Sequence, residues 1–334
     1  MNRTASTIIE SLRVAAILVG TIVPGTAPLA QGNDAAGYPS RPITMIVATE
    51  PGGAPDVIAR ILAEPLRQRL GQPIVVEAKP GAGTTVGSLA VVRARPDGYT
   101  LLLNTVAMTI SPFTMSPVPF DPAQDLVSIG HVATVPLIMV VNPELNVRSV
   151  KELIALAKSK PGQLNYSTAG VGTLQHLTTE LLKRQSGFDM VHIPYKSGSA
   201  AVQSVLSNNT QMFFAGMPPA LPQVKAGKLV ALAVSTDRRF PSAPDVPTMA
   251  EAGVPGFEAD NWHALFAPAG TPDAIVRRLN RELNEVLALP DVQERLLQIG
   301  AAAKSSTPEQ LQALVVEDVR KWTPLIKALN VTTQ

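Results

Sequence analysis

The chain of 334 residues contains no cysteine, and only 4% of its residues are aromatic. Without cysteine there are no disulfides, no thiolate metal ligands and no lipid-anchored cysteine. The few aromatic side chains leave little for base stacking. A formal net charge of +2 without a dense basic run gives no electrostatic footprint for nucleic acid. We therefore expect no nucleic-acid partner.

Long apolar runs are also scarce. The segment "VAAILVGTIV" (14–23) follows Arg13 and contains ten residues, which suits the apolar core of a signal peptide but is too short to span a membrane. We expect residues 1–30 to be a signal peptide that is cleaved near Ala30, with Ala35–Gly37 as the alternative. The chain is thus predicted to be exported, without stable membrane insertion.

From Tyr38 onward, short β-rich runs alternate with helical periods. Examples are "PITMIVA" (42–48) before a helix at 56–70 with Asp56 as its predicted N-cap, and "LNYST" (164–168) before a helix at 173–186. Alternation of this kind predicts α/β sheets with parallel strands. No low-complexity linker divides the chain, so discontinuous lobes joined by crossing strands explain it better than two consecutive domains.

Three predicted strands run into turns of glycine and small residues just before a helix begins, at 51–56, 79–88 and 166–176. Glycine leaves room beside the free N–H groups of a helix N-terminus, which favours an anion. Hydrogen bonds to a charged group contribute about 1.5–3 kcal/mol each, whereas micromolar affinity needs about 8 kcal/mol. Donors from two lobes are therefore needed. The alternative at each turn is backbone geometry alone.

Other chemistry has weak support in the sequence. The run "GAGTTVG" (81–87) misses the dinucleotide-binding spacing, and no P-loop follows it. The four histidines show no metal-ligand spacing, so we expect no metal and no cofactor. A Ser–His–Asp site assembled in space stays open, although no Gly-x-Ser-x-Gly sequence occurs. His176 is either a ligand donor or a histidine packed at the start of its helix.

The ordered segments "YPSRPITMIV", "PGGAPDVIAR", "LGQPIVVEAKPGAG", "PDGYTLLL", "VHIPYKSG" and "PDVPTMAEAGVPGFE" resemble the periplasmic solute receptors of tripartite tricarboxylate transporters, the Bug or TctC family. The resemblance implies a non-catalytic, two-lobed type II periplasmic binding protein, each lobe a mostly parallel sheet flanked by helices, with two crossover strands. One lobe would combine 38–139 with 262–334, and the other would be 140–261.

The resemblance also implies a small organic carboxylate held between the lobes and membrane permease subunits as partners. Carried over by position, the ligand-binding residues are Thr49, Glu50, Gly52, Gly53, Asp56, Thr84, Asn104, Thr105, Ser167, Thr168, Ala169, Gly170, Gly172, His176 and Ala215.

Two positions depart from the family pattern. Glu50 stands where a small residue or proline is usual, and Ala215 stands where an acid is frequent. A carboxylate beside an anion site lowers affinity unless it points away. We hypothesise that this pair alters ligand choice, the alternative being that Glu50 faces solvent. Two other functions stay open: a sensory receptor for a membrane kinase and an exported hydrolase.

Overall fold

The computed structural model describes residues 37–332, so the predicted signal peptide and the cleavage site near Ala30 lie outside the described residues. The strands are β1 Ile43–Val47, β2 Ile74–Ala78, β3 Thr100–Thr105, β4 Leu126–Thr134, β5 Leu137–Val141, β6 Asn165–Thr168, β7 Val191–Pro194, β8 Met212–Gly216, β9 Val230–Val234, β10 Trp262–Pro268 and β11 Ala302–Ala303. The helices are α1 Ala54–Leu70, α2 Thr85–Val92, α3 Val150–Ser159, α4 Leu174–Ser186, α5 Gly198–Leu206, α6 Met217–Lys225, α7 Asp273–Leu287, α8 Pro290–Gln298 and α9 Pro308–Ala328.

These strands form two sheets. The first has the order β11-β4-β10-β3-β1-β2, and the second has the order β7-β6-β8-β5-β9. The α/β architecture is confirmed, but the pairing is mixed rather than mostly parallel. β1 is parallel to β2 and β3, whereas β10 is antiparallel to β3 and β4. In the second sheet β5 is likewise antiparallel to both neighbours. β5 and β10 are the strands by which the chain enters each sheet from the other one, and they run against the strands beside them.

The passages between the sheets are close to each other. β4 ends in the first sheet at Thr134 and β5 begins in the second at Leu137, so two residues make the first passage. The N–H of Val135 donates to the carbonyl of Asn261 at 3.1 Å, which joins this passage to the returning one. Because β5 pairs wholly within the second sheet, we propose the lobe division expected from the sequence with its first boundary at 135–136 instead of 139–140.

Local signals explain where the helices next to the strand ends begin. α1 starts at Ala54 with Gly53 as N-cap, so the prediction that Asp56 caps this helix is wrong. The Asp56 carboxylate instead accepts the N–H of Gly52 at 2.9 Å and pairs with Arg60 at 3.1 Å. α4 is capped by Thr173, whose hydroxyl accepts the N–H of His176. Both helices follow a strand at its carboxyl end, which sets the direction of their N-termini.

Close packing fixes the position of α2 against the first sheet. A Cβ added at Gly87 would lie 2.8 Å from the Cα of Ala48 and 2.8 Å from the carbonyl oxygen of Lys79. Both are backbone atoms that a side-chain rotation cannot move. Only glycine permits this approach of α2 to the end of β1.

We expect Gly87→Ala to lower the free energy of unfolding by about 1–3 kcal/mol, because overpacking against backbone forces the helix away from the sheet. Gly198→Ala is the matched control, since an added Cβ there meets nothing within 4 Å. Urea unfolding followed by circular dichroism measures both. Equal midpoints for the two variants would contradict the packing argument.

Candidate functional site

A cavity of about 390 Å³ lies where the two sheets face each other. Its wall is drawn from the first turn of α1, the turn before α2, the segment after β3, the first turn of α4 and the passage into β10. The lining residues are Ala54, Pro55, Ala82, Gly83, Thr84, Thr105, Val106, Ala107, Ser111, Thr114, Met115, Val171, Gly172, Thr173, Leu174, Gln175, Asn261 and His263. None of these is Asp, Glu, Lys or Arg.

The N-terminus of α4 supplies main-chain donors to this wall. Leu174 and Gln175 are the first two residues of the helix, so their N–H groups have no carbonyl partner within it. The N-terminus of α1 also lines the cavity but contributes less, because Pro55 has no N–H. Each helix N-terminus carries the equivalent of about half a positive charge. One helix N-terminus follows a strand of the first sheet and the other follows a strand of the second. The wall therefore favours an anion although it has no charged side chain.

The turn before α2 is strained. Four consecutive residues have positive φ: Gly81 at 133°, Ala82 at 45°, Gly83 at 60° and Thr84 at 84°. For a β-branched residue such as Thr84 this conformation is an outlier and costs on the order of 1–3 kcal/mol. The hydroxyl of Ser111 hydrogen-bonds to the carbonyl of Gly83 and so helps to hold the turn. Strain of this kind, retained at a cavity wall, is typical of functional sites.

Thr84 also presents a polar atom with no partner. Its hydroxyl is buried and makes no hydrogen bond within the described part of the chain. A buried polar group without a partner costs free energy, so such groups are normally satisfied by protein, water or ligand. Since Thr84 lines the cavity, a ligand bound there is a candidate partner for this hydroxyl.

The passage into β10 forms the part of the wall nearest the connections between the sheets. His263 is 2% exposed, and its Nδ1 lies 3.3 Å from the carbonyl oxygen of Asn261. Burial lowers the pKa of His263 to about 4, so the ring is neutral at pH 7. His263 therefore adds a polar, uncharged surface to the site.

Of the residues predicted from the sequence, the structure brings three into the wall: Thr84, Thr105 and Gly172. The others lie outside it. They are Thr49, Glu50, Gly52, Gly53, Asp56, Asn104, Ser167, Thr168, Ala169, Gly170, His176 and Ala215.

Several of these outer residues have their polar atoms occupied by neighbours. The Asn104 amide donates to Ser88 at 2.9 Å, and the Ser167 hydroxyl donates to the carbonyl of Ala201 at 3.1 Å. Ala215 is fully buried in the core of the second sheet. Their side chains support the wall. Glu50 is exposed and does not line the cavity, in agreement with the interpretation that it faces solvent.

Some wall residues were not expected from the sequence. They lie outside the three glycine-rich turns and are Val106, Ala107, Ser111, Thr114, Met115, Asn261 and His263. No motif marks the segment after β3, because its residues reach the cavity through a pair of short 3₁₀ turns. The sequence did give an indication for Asn261 and His263, since they lie beside the predicted lobe boundary at 261–262, where the chain crosses back to the first lobe.

The comparisons with known proteins agree with this geometry. The family model described as tripartite tricarboxylate transporter family receptor, TctC, matches residues 58–331. This chain belongs to that family. BugT of Bordetella pertussis is 38% identical to this TctC receptor over 304 residues, which is 90% of this chain and 93% of BugT.

Solved structures show the same fold. The periplasmic binding protein BugD matches this TctC receptor with a TM-score of 0.71 at 36% identity, covering 89% of this chain and 100% of BugD. MatC from Rhodopseudomonas palustris, solved with bound malate, matches with a TM-score of 0.71 at 30% identity, over 86% of this chain and 100% of MatC. Rpa4515 of R. palustris, solved with adipate, matches with a TM-score of 0.74 at 31% identity, over 87% of this chain and 97% of Rpa4515.

The predicted family and two-lobed periplasmic binding fold are therefore confirmed. Members of the family are periplasmic solute-binding proteins and not enzymes, which removes the support for an exported hydrolase. Within residues 37–332, no helix has the length and apolar character needed to cross a membrane.

The buried His263 generates a pH prediction. Its pKa of about 4 in the folded receptor is below the value of 6.5 in the unfolded chain. Between these pH values the unfolded chain binds the extra proton, so His263 makes the fold less stable as pH falls from 6.5 to 4, by up to about 3 kcal/mol.

His263→Gln keeps a polar side chain but cannot titrate. We expect the loss of stability between pH 7 and pH 4, measured by urea unfolding, to be smaller in this variant than in the wild type. His131 is also buried and stays in both proteins, and His263 lowers its pKa, so the difference reports His263 together with its effect on His131. Parallel stability curves would show that His263 does not contribute.

Proposed function

We propose that this receptor binds one small organic carboxylate in the cavity between its sheets and delivers it to the membrane permease of a tripartite tricarboxylate transporter. The observation that carries the proposal is a wall without charged side chains, formed by helix N-termini from both sheets and by the unpartnered hydroxyl of Thr84. An anion is the ligand that such a wall stabilises best.

The strength of binding can be bounded from these donors. The N–H groups of Leu174 and Gln175 and the hydroxyl of Thr84 each contribute about 1.5–3 kcal/mol to a bound carboxylate. Micromolar affinity needs about 8 kcal/mol net, and ordering costs reduce the sum. The donors of α4 alone do not reach this value, so the first sheet must contribute as well. The ligand is therefore held jointly by both sheets.

The other lining residues indicate what the part of the ligand beyond its carboxylate is like. Val106, Met115, Val171 and Leu174 present apolar side chains to the cavity. No acidic side chain among the lining residues is available to pair with an ammonium group. We propose an aliphatic or aromatic mono- or dicarboxylate without an amino group. The structures of MatC with malate and of Rpa4515 with adipate support a carboxylate as the ligand class.

Location follows from the family and from the N-terminal sequence. The relatives are periplasmic binding proteins, and residues 14–23 have the length of a signal-peptide core. We propose that the receptor is exported to the periplasm and processed near Ala30. The mass of the intact protein recovered from the periplasm tests the position of the cut.

Isothermal titration calorimetry tests the ligand class with adipate, malate, benzoate, glutamate and the neutral diamide of adipic acid. We expect at least one of the carboxylates without an amino group to bind, glutamate to bind more weakly, and the diamide not to bind. Thr84→Val keeps the β-branched shape but removes the hydroxyl. We expect this variant to bind the carboxylate about tenfold more weakly, because one charge-assisted hydrogen bond is lost.

Thr44→Val is the matched control, since Thr44 lies in β1 and does not line the cavity. Its affinity for the same carboxylate should equal that of the wild type. Binding of the diamide as tightly as adipate would contradict recognition of the carboxylate, and equal effects of the two substitutions would remove Thr84 from the site.

A further inference from the structure

Two histidines outside the cavity pack directly behind the turn that forms its second-sheet wall. The rings of His176 and His192 are stacked, with centroids 4.1 Å apart and an interplanar angle of 13°. His176 is 6% exposed, and neither ring lines the cavity. The turn in front of them runs from Gly170 to Thr173 and leads into the first turn of α4.

Each histidine contacts one part of this turn. The N–H of Gly172 donates to Nδ1 of His176 at 3.2 Å. Nε2 of His192 lies 2.7 Å from the hydroxyl of Thr168. That hydroxyl in turn accepts the N–H of Gly170 at 3.2 Å. The imidazoles thereby fix both glycines of the turn.

We propose that His176 and His192 are positioning residues, that their neutral rings hold Gly170–Thr173 in the ligand-binding geometry, and that protonation of His176 releases Gly172 and weakens binding. The effect on ligand affinity rests on the proposed carboxylate-binding function, whereas the effect on the turn does not.

The chemistry of imidazole makes the contact with Gly172 conditional on charge. Neutral imidazole has one nitrogen with a free lone pair, and the Gly172 contact requires that nitrogen to be Nδ1. Protonated imidazole is a donor at both nitrogens. The Gly172 N–H would then face another N–H, and the contact would become repulsive. Gly172 has φ of +75°, a conformation that glycine adopts without strain and can also leave when the contact is lost.

The groups around the pair favour the neutral state at pH 7. Burial lowers the pKa of His176 and is the largest cause, while Glu180 raises it and Lys183 lowers it. Burial likewise lowers the pKa of His192 to about 4, and the neighbouring His176 adds to this effect.

The charged neighbours are themselves paired. Lys183 lies 2.8 Å from Glu180 and 3.3 Å from Asp189, and the Tyr166 hydroxyl donates to Glu180 at 2.5 Å. Tyr166 also stacks on His192 with centroids 4.9 Å apart.

The folded pKa of His176 is below 6.5. Affinity should therefore be constant above pH 6.5 and fall as the pH falls below it.

The first test needs no ligand. Amide hydrogen exchange of Gly172 is measured by NMR at pH 7 in the wild type, His176→Asn and His176→Leu. An asparagine side-chain oxygen can take the place of Nδ1 as acceptor, whereas leucine offers none. Loss of one hydrogen bond should speed exchange of Gly172 by about fivefold to tenfold in His176→Leu, while His176→Asn restores protection.

This pair of variants separates positioning from packing. Both remove the imidazole stack, so a role in packing alone predicts the same exchange rate in both. Equal rates in the two variants, or wild-type protection in His176→Leu, would overturn the proposal.

The second test follows the affinity for malate, adipate and benzoate by calorimetry between pH 7.5 and pH 4.5 in the wild type and His176→Asn. The ratio of the two dissociation constants cancels protonation of the ligand and of the shared groups remote from position 176. We expect a constant ratio above pH 6.5 and about a tenfold additional loss in the wild type at pH 4.5. Parallel profiles would overturn the pH dependence. If no carboxylate binds the wild type, the proposed ligand class fails, and the exchange experiment still decides the positioning role.

Discussion

Stabilising a negative charge without a cation is the physical demand that the proposed carboxylate ligand places on this receptor. Moving a carboxylate out of water costs several kcal/mol unless hydrogen bonds replace its hydration. The cavity wall has no Lys or Arg to supply the opposite charge. What remains are main-chain N–H groups, hydroxyls and the partial charges of helix N-termini. The strained turn at Thr84, the exposed first turn of α4 and the glycines beside them are consistent with this one demand.

The sheets place these groups. α1 follows β1 and α4 follows β6, so each helix begins at the carboxyl end of a strand, where open α/β sheets gather their ligands. The two sheets contribute one such helix each, and the chain passes between them in two residues at 135–136. The hydrogen bond from Val135 to Asn261 ties the two passages together beside the cavity. The same region carries the wall residues Asn261 and His263.

The sequence predicted the framework well because the framework depends on patterns along the chain. Apolar runs before glycine turns located β1 and β6, and the helix predicted at 173–186 located α4. β4 was not predicted, since Ser128, Gly130 and His131 interrupt its apolar pattern. α6 was also not predicted, because Pro218, Pro219 and Pro222 argue against a helix. Pro218 and Pro219 lie in the first turn, where proline removes no internal hydrogen bond, whereas Pro222 lies inside the helix.

The direction of side chains limited how well the site residues could be predicted from the sequence. Thr84 and Thr105 turn into the cavity, whereas Asn104, adjacent to Thr105, turns away and bonds to Ser88. Neighbouring residues in a strand point to opposite faces, so Asn104 and Thr105 at the end of β3 do not both face the cavity. The segment from Val106 to Met115 escaped prediction because short 3₁₀ turns have no period that a sequence pattern would show.

Recognition through the main chain also explains why the chemical class of the ligand can be inferred from relatives more safely than the identity of the ligand. Backbone donors depend on the path of the chain, which BugD shares with this receptor at 36% identity and a TM-score of 0.71. MatC and Rpa4515 were solved with different carboxylates on that same fold. The side chains that distinguish one acid from another are the apolar and hydroxyl residues around the donors, and these can change without disturbing the donors themselves. Under the proposed function, the shape of the wall at positions such as Met115 and Val171 selects among carboxylates, while the main-chain donors set by the fold select the charge of the ligand.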